Sequence, residues 1–425
     1  MTEPVALESY RLPHEEAAAV RLRPGAPRNL ALDNLRGIVI LIVLAFHSAL
    51  AYVSWVDAPT VGFDSPPYAW RAFPIVDPHR FFGFDLFCAW QDIYLMSLLF
   101  FLSGLFVWPS LQRKTNWQFL RDRVLRLGIP YAFGIAVIIP IAEYPAYSVS
   151  AAEPSLAGYW DALLALPFWP NGPLWFLWQL LAVNVIAVLV NVVAPNALPA
   201  LGRWSAAAES RFGRYFAALL AAAALAYVPL ALIFTPWRWS DTWIFPVQFC
   251  RPLLYAVFFF AGAGLGAVGI DRGLLAVNGP LARRWALWLG GALASLALWM
   301  GLTALTLNGD APIAITIAAA LAYVPACAAG SFFLIAASLR FAGGRSRTLG
   351  ALGVNAYGLY LLHYVFVVWL QYALLAVPAS AVIKAPIVFG LTLALTWIAV
   401  TAVQRYSLGA RLIGSEQRPA AGFAP

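Results

Sequence analysis

The 425-residue chain is 62% hydrophobic and only 11% charged, with a mean hydropathy of +0.77. Soluble domains run near half apolar and a quarter charged, so the composition excludes one and points to an all-α, polytopic integral membrane bundle. The net charge of +8 needs no nucleic acid, because the basic residues sit in short clusters between apolar runs, the pattern of the positive-inside rule.

Residues 1–35 carry Arg11, Arg21, Arg23 and Arg28 among glutamates and prolines, with no apolar core of signal-peptide length. They read as a cytoplasmic tail ahead of a membrane domain over 36–403, with a second cytoplasmic tail over 404–425. Apolar stretches long enough to span fall at 36–56, 84–110, 126–142, 173–193, 214–234, 252–270, 285–306, 312–338, 351–373 and 380–403. The third is short. The connection over 57–83 holds Asp57, Asp64, Asp77, prolines and aromatics, and 143–172 adds Glu143, Glu153, Asp161, Trp160 and Trp169. Acids and aromatics together can hydrogen-bond and stack a carbohydrate, and interfacial aromatics with solvated acids explain them equally well. Gly262-xxx-Gly266 reads as a helix-packing device. Cys88, Cys250 and Cys327 show no zinc spacing, so no metal is expected. A Cys88–Cys250 disulfide is conceivable, but three buried free thiols are the expectation.

The distribution of charge supports ten spans with both termini in the cytoplasm. In that frame 22 of the 27 Lys and Arg residues fall in cytoplasmic segments. Only Arg71, Arg80, Arg238, Arg251 and Lys384 fall outside, and every inner connection is richer than every outer one.

Ionisable groups inside a span are costly and point to function by default. Three lie deep: His47 in the first span, Asp92 in the second and His363 in the ninth. Arg36 and His47 are eleven residues apart, three turns plus about 20°, so both leave one helix face about 16 Å apart. A cation at the cytoplasmic mouth in line with an imidazole at mid-membrane matches coenzyme A, whose phosphates and thioester lie at opposite ends of an extended arm. Arg123 and Arg126, at i and i+3, supply further planar forks for phosphate. Spacing alone is equally served by a topogenic arginine and a helix-packing histidine. Asp92 serves either to orient His47 or to pack helices, and Ser103 either to carry an acyl group or to pack. His79 and His14 receive no chemistry.

LDNLRGIVILIVLAFHSAL (32–50) resembles the opening signature of the membrane-bound acyltransferase 3 family. FFLSGLFVWPSL (100–111), FLRDRVLRLGIPY (119–131), GPLWFLWQLL (172–181) and NAYGLYLLHYVF (355–366) are similar to its later landmarks, in order. The resemblance implies ten core helices and transfer of an acyl group, commonly acetyl or succinyl, from acyl-CoA to extracytoplasmic carbohydrate in a bacterial inner membrane. It implies a stand-alone member similar to glucan O-acyltransferases. On this reading His47, Asp92 and His363 are the catalytic candidates, and Arg36, Arg123 and Arg126 bind acyl-CoA, the donor substrate. The bilayer, acyl-CoA and a carbohydrate or glycolipid acceptor are the partners. A transporter or flippase of lipid-linked sugar is the alternative use of the same buried polar groups.

Overall fold

The first helix is fixed at its start by Asn29. Its side-chain oxygen accepts from the Leu32 amide, while its Nδ2 donates to the carbonyls of Ile270 and Leu275. One residue thereby caps a helix and ties it to a linker more than 240 positions away. The computed structural model describes residues 29–56, 63, 73–240, 242–307, 309 and 311–413. Of the tails read over 1–35 and 404–425, positions 1–28 and 414–425 lie outside the described residues, as do Asp57, Asp64 and Arg71 of the first outer connection.

The principal helices are α1 (Leu30–Ala49), α2 (Phe82–Gly104), α3 (Asn116–Ser150), α4 (Leu156–Ala165), α5 (Trp175–Val193), α6 (Ala197–Ala206) and α7 (Phe212–Phe234). They continue with α8 (Pro252–Val268), α9 (Trp285–Ala304), α10 (Ile313–Phe341), α11 (Arg347–Leu374), α12 (Ala381–Val403) and α13 (Ser407–Leu412). Among the described residues the only β pairing is an isolated bridge between Trp239 and Gln248. Among the described residues, nine helical runs are long and apolar enough to cross a membrane. The tenth expected span is α8, whose 17 residues reach about 25 Å, at the lower limit for a bilayer core. Contacts between helix ends place the two ends of α8 at opposite ends of the bundle. Asn29 meets Ile270, Asn34 meets Ala342 and Gly344, Arg36 lies over Phe106, and Tyr357 meets Arg126, all at one end. Ser54 meets Asp85, Asp77 meets Lys384, and Trp169 meets Trp243 at the other. This alternation is the one expected of ten crossings.

Helix α3 is longer than expected. The sequence suggested a short span over 126–142, read from the apolar stretch alone. The helix instead runs unbroken to Ser150, with π turns over Val124–Gly128 and Gly134–Ile138 just before two of the prolines. Carbonyls left without their helical donor find side chains. Arg126, four residues before Pro130, accepts from the Tyr357 hydroxyl at 2.5 Å. Ile141, four before Pro145, accepts from Trp369 Nε1, and Ile135, whose π-register donor would be Pro140, accepts from Trp169 Nε1, both at 2.8 Å. Glu143, expected in the outer connection, is therefore in the helix and fully buried.

Glycines set the closest helix approaches. A Cβ at Gly37 of α1 would lie 2.6 Å from the Leu349 carbonyl of α11, and Gly262 and Gly266 of α8 lie against Phe101 and Leu105 of α2. The packing role of Gly262-xxx-Gly266 follows directly. The first ten positions of the expected C-terminal tail are folded instead, with Ala410 and Ile413 buried and Ile413 against Gly358. Toward lipid, α9 buries only Ala292 and exposes Leu287, Leu293 and Leu298, an apolar surface suited to hydrocarbon.

Candidate active site

His47 sits in the last full turn of α1 and His363 in the middle of α11. Their rings meet edge to face with centroids 4.9 Å apart. Carbonyl oxygens only accept, so the two nearest carbonyls fix the tautomers. His363 Nδ1 donates to Tyr360 O at 2.7 Å, and His47 Nδ1 donates to Val43 O at 2.8 Å. His363 Nε2 is then a bare acceptor, 3.3 Å from the same His47 Nδ1, and shares its proton. The remaining nitrogen, His47 Nε2, keeps its lone pair and has no hydrogen-bond partner among the described residues. Gln371 fixes the backbone by donating to the His47 carbonyl at 2.9 Å. A neutral imidazole with its basic nitrogen bare is equipped to take a proton.

His47 lines a cavity of about 730 Å³, whose wall also carries Trp55, Trp175, Trp237, Trp239 and Trp299. The linker from α7 to α8 folds inward to complete this wall. The Ile244 carbonyl accepts from Tyr131, and the Pro246 carbonyl accepts from Gln179. Opposite the tryptophans, Arg251 binds Asp92 through both guanidinium branches, one N–H···O contact being 2.9 Å, and also donates to the Asp92 backbone carbonyl. Arg251 is buried, whereas the Asp92 side chain is 42% exposed and faces the cavity. The floor is held by Gly172–Pro173 packed on α11: Tyr360 donates to the Pro173 carbonyl, and Tyr364 lies against Gly172.

A family model described as an acyltransferase domain, that of acyltransferase 3, matches residues 29–401. This chain belongs to the acyltransferase 3 family. It is a multi-pass membrane acyltransferase, a transferase of acyl groups other than aminoacyl. No curated protein and no solved structure matches the chain.

The five motifs of the acyltransferase converge on two regions. His47 and His363, 316 positions apart, touch. Asp92 does not meet His47; it lines the same cavity and is held by Arg251. Arg36 lies at the opposite end of α1 from His47, over the Phe106 ring at 4.6 Å and 3.6 Å from Asp33. Arg123 stacks over Phe119 and lies close to Arg126, whose backbone is tied to α11 by Tyr357. Ser103 does not line the cavity. The three cysteines are buried and free, so Cys88 and Cys250 form no disulfide. Three site residues were not anticipated. Arg251 was placed in an outer connection, Glu143 beyond the end of α3, and Tyr364 was seen only as part of a motif. Asp77 and Lys384, read as outer-connection charges, form a fully buried ion pair at 2.7 Å, so Asp77 is neither a solvated acid nor available to a sugar. Among the described residues no three His, Cys, Asp or Glu side chains gather as metal ligands.

Proposed function

We propose that this acyltransferase moves an acetyl or succinyl group from cytoplasmic acyl-CoA to a hydroxyl of an extracytoplasmic or membrane-linked carbohydrate, with His47 as general base. The observation that carries the reading is the bare His47 Nε2 at the edge of a tryptophan-rich cavity, about 16 Å along α1 from Arg36. Arg36, Arg123 and Arg126 hold the coenzyme phosphates at the cytoplasmic end, and the acceptor enters the cavity from the other side. The asymmetry of Lys and Arg between the two ends supports this orientation in a bacterial inner membrane. Sugar rings stack on indole faces, and the half-open Asp92 carboxylate accepts from sugar hydroxyls while Arg251 holds it in place.

The steps balance. The acceptor oxygen bonds to the thioester carbonyl carbon as its proton passes to His47 Nε2. The C–S bond then breaks, and the departing sulfur takes that proton, leaving an ester and free coenzyme A thiol. The Val43 carbonyl, facing Nδ1–H, stabilises the transient imidazolium without itself exchanging a proton. Purified protein in detergent, supplied with acetyl- or succinyl-CoA and candidate glycans, should release thiol only when an acceptor is present. His47→Ala should lower this rate about 10²–10⁴-fold with helical content intact. Near wild-type turnover by correctly folded His47→Ala would remove the mechanism.

A further inference from the structure

Glu143 belongs to none of the steps above, yet its side chain is fully buried within a membrane-spanning helix. Such a carboxyl normally sits in an ion pair or a closed hydrogen-bond network. Asp77 and Asp92 do so in this molecule. Neither oxygen of Glu143 closes a hydrogen bond of standard geometry. The titratable groups that interact with it are Tyr364 of α11 and Tyr159 of α4. Tyr159 is already engaged, donating to the Pro140 carbonyl at 2.6 Å. The Tyr364 hydroxyl is buried and, like the carboxyl, closes no hydrogen bond of standard geometry. The two groups lie within reach of a hydrogen bond that is not closed at standard geometry.

The other face of Tyr364 leads to the reacting base. Its ring stands edge-on to His47 with centroids 5.9 Å apart and an interplanar angle of 81°, and it lines the cavity. Gly172, at φ +47°, presses against the same ring. A side chain fixed on one edge by backbone, aimed at an unengaged carboxyl and seated against the base is built to set the position of that base.

We infer that Glu143 is a positioning residue that acts through the Tyr364 hydroxyl on His47. When the acceptor fills the cavity, Tyr364 donates to Glu143. That bond fixes the tyrosine ring against the imidazole, so Nε2 stays in line with the acceptor hydroxyl. This is the third member that an activated base requires, supplied here through an aromatic ring. The inference rests on the reading of His47 as base.

The test is steady-state kinetics on the full-length protein in detergent with acyl-CoA and an acceptor that supports turnover. Glu143→Gln should lower kcat about 10²-fold, with KM for both substrates within about twofold of wild type. Tyr364→Phe, which deletes only the hydroxyl, should do the same, and the double variant should be no worse than either single one. Glu143→Asp, which keeps the carboxyl on a shorter arm, should recover part of the loss. Wild-type kcat in Glu143→Gln overturns the assignment, as does a Glu143→Asp no more active than Glu143→Gln. Should Glu143→Gln fail to fold, Tyr364→Phe decides, and its wild-type kcat overturns the assignment equally. Full activity in His47→Ala would instead overturn the reading of His47 and leave its base unidentified, an outcome separable from failure of the Glu143 variants alone.

Discussion

Gly172→Ala tests whether the GPLW segment places the site through Tyr364. Gly172 has φ +47°, and a Cβ there would lie 2.6 Å from Tyr364 Cε1 and 3.0 Å from Ile139 Cδ1. Alanine in the left-handed region costs about 1–2 kcal/mol before any contact is considered. Relieving the contact to an ordinary carbon–carbon distance of about 3.5–4 Å needs a shift of about 1 Å, and Ile139 blocks one way out. The tyrosine ring is the more mobile partner, and it stands against His47. A displacement of that size near a reacting group costs about 10²-fold in rate. The expected variant is therefore folded, modestly destabilised and about a hundredfold slower, with acyl-CoA affinity unchanged. Thiol release and thermal unfolding in the same detergent measure both quantities. Gly213→Ala, where an added Cβ meets nothing within 4 Å, is the matched control. Wild-type turnover in Gly172→Ala would show that this contact does not place Tyr364.

Three further outcomes follow from the charged groups. Lys384→Met or Asp77→Asn alone should cost about 3–5 kcal/mol in unfolding experiments, because each strands a buried charge, while the double variant should recover most of the loss. Arg36→Ala should raise the acyl-CoA KM about ten- to a hundredfold with the acceptor KM unchanged, and equal coenzyme A affinity in correctly inserted protein would leave Arg36 a topogenic residue. Arg251→Lys keeps the cation but loses the two-branched grip on Asp92, so the acceptor KM should rise about tenfold with the acyl-CoA KM unchanged, and the reverse pattern would detach Asp92 from the acceptor.

Much of the fold was legible because a bilayer imposes length and charge asymmetry on the sequence itself. The ten apolar stretches and the Arg36–His47 stripe are local features, readable at 1.5 Å per residue. Other parts could not be read locally. Glu143 fell one residue past the apolar stretch read over 126–142, and the π turns and side-chain donors that carry the helix through its prolines to Ser150 leave no local pattern. Arg251 precedes Pro252 at the start of α8, so its sequence position is that of a connection. Only the inward folding of the linker places it in the wall. Partnerships across 316 residues for His47–His363 and 307 for Asp77–Lys384 depend on helix arrangement, which one sequence does not encode as a pattern.

The state of the buried ionisable groups separates binding from chemistry. Asp77–Lys384 and Asp92–Arg251 are closed pairs whose charges are matched within the protein. His47 Nε2 faces the cavity, and the Glu143 carboxyl is buried without a hydrogen bond of standard geometry. Leaving a buried polar group unengaged costs about 1–3 kcal/mol, so the Glu143 carboxyl is a costly feature of the fold. His47 and Glu143 flank one side chain, Tyr364, and belong to α1 and α3, whereas the Asp92–Arg251 pair bridges α2 and α8 across the cavity. Asp92 was grouped with His47 as catalytic on depth alone, since both reach mid-membrane. Its occupied oxygens fit it to hold a hydroxyl in place, and a base must have a vacant site for a proton. On the proposed reading of His47 as base, the reacting centre lies where α1, α3 and α11 meet, and the α2–α8 wall orients what is brought to it.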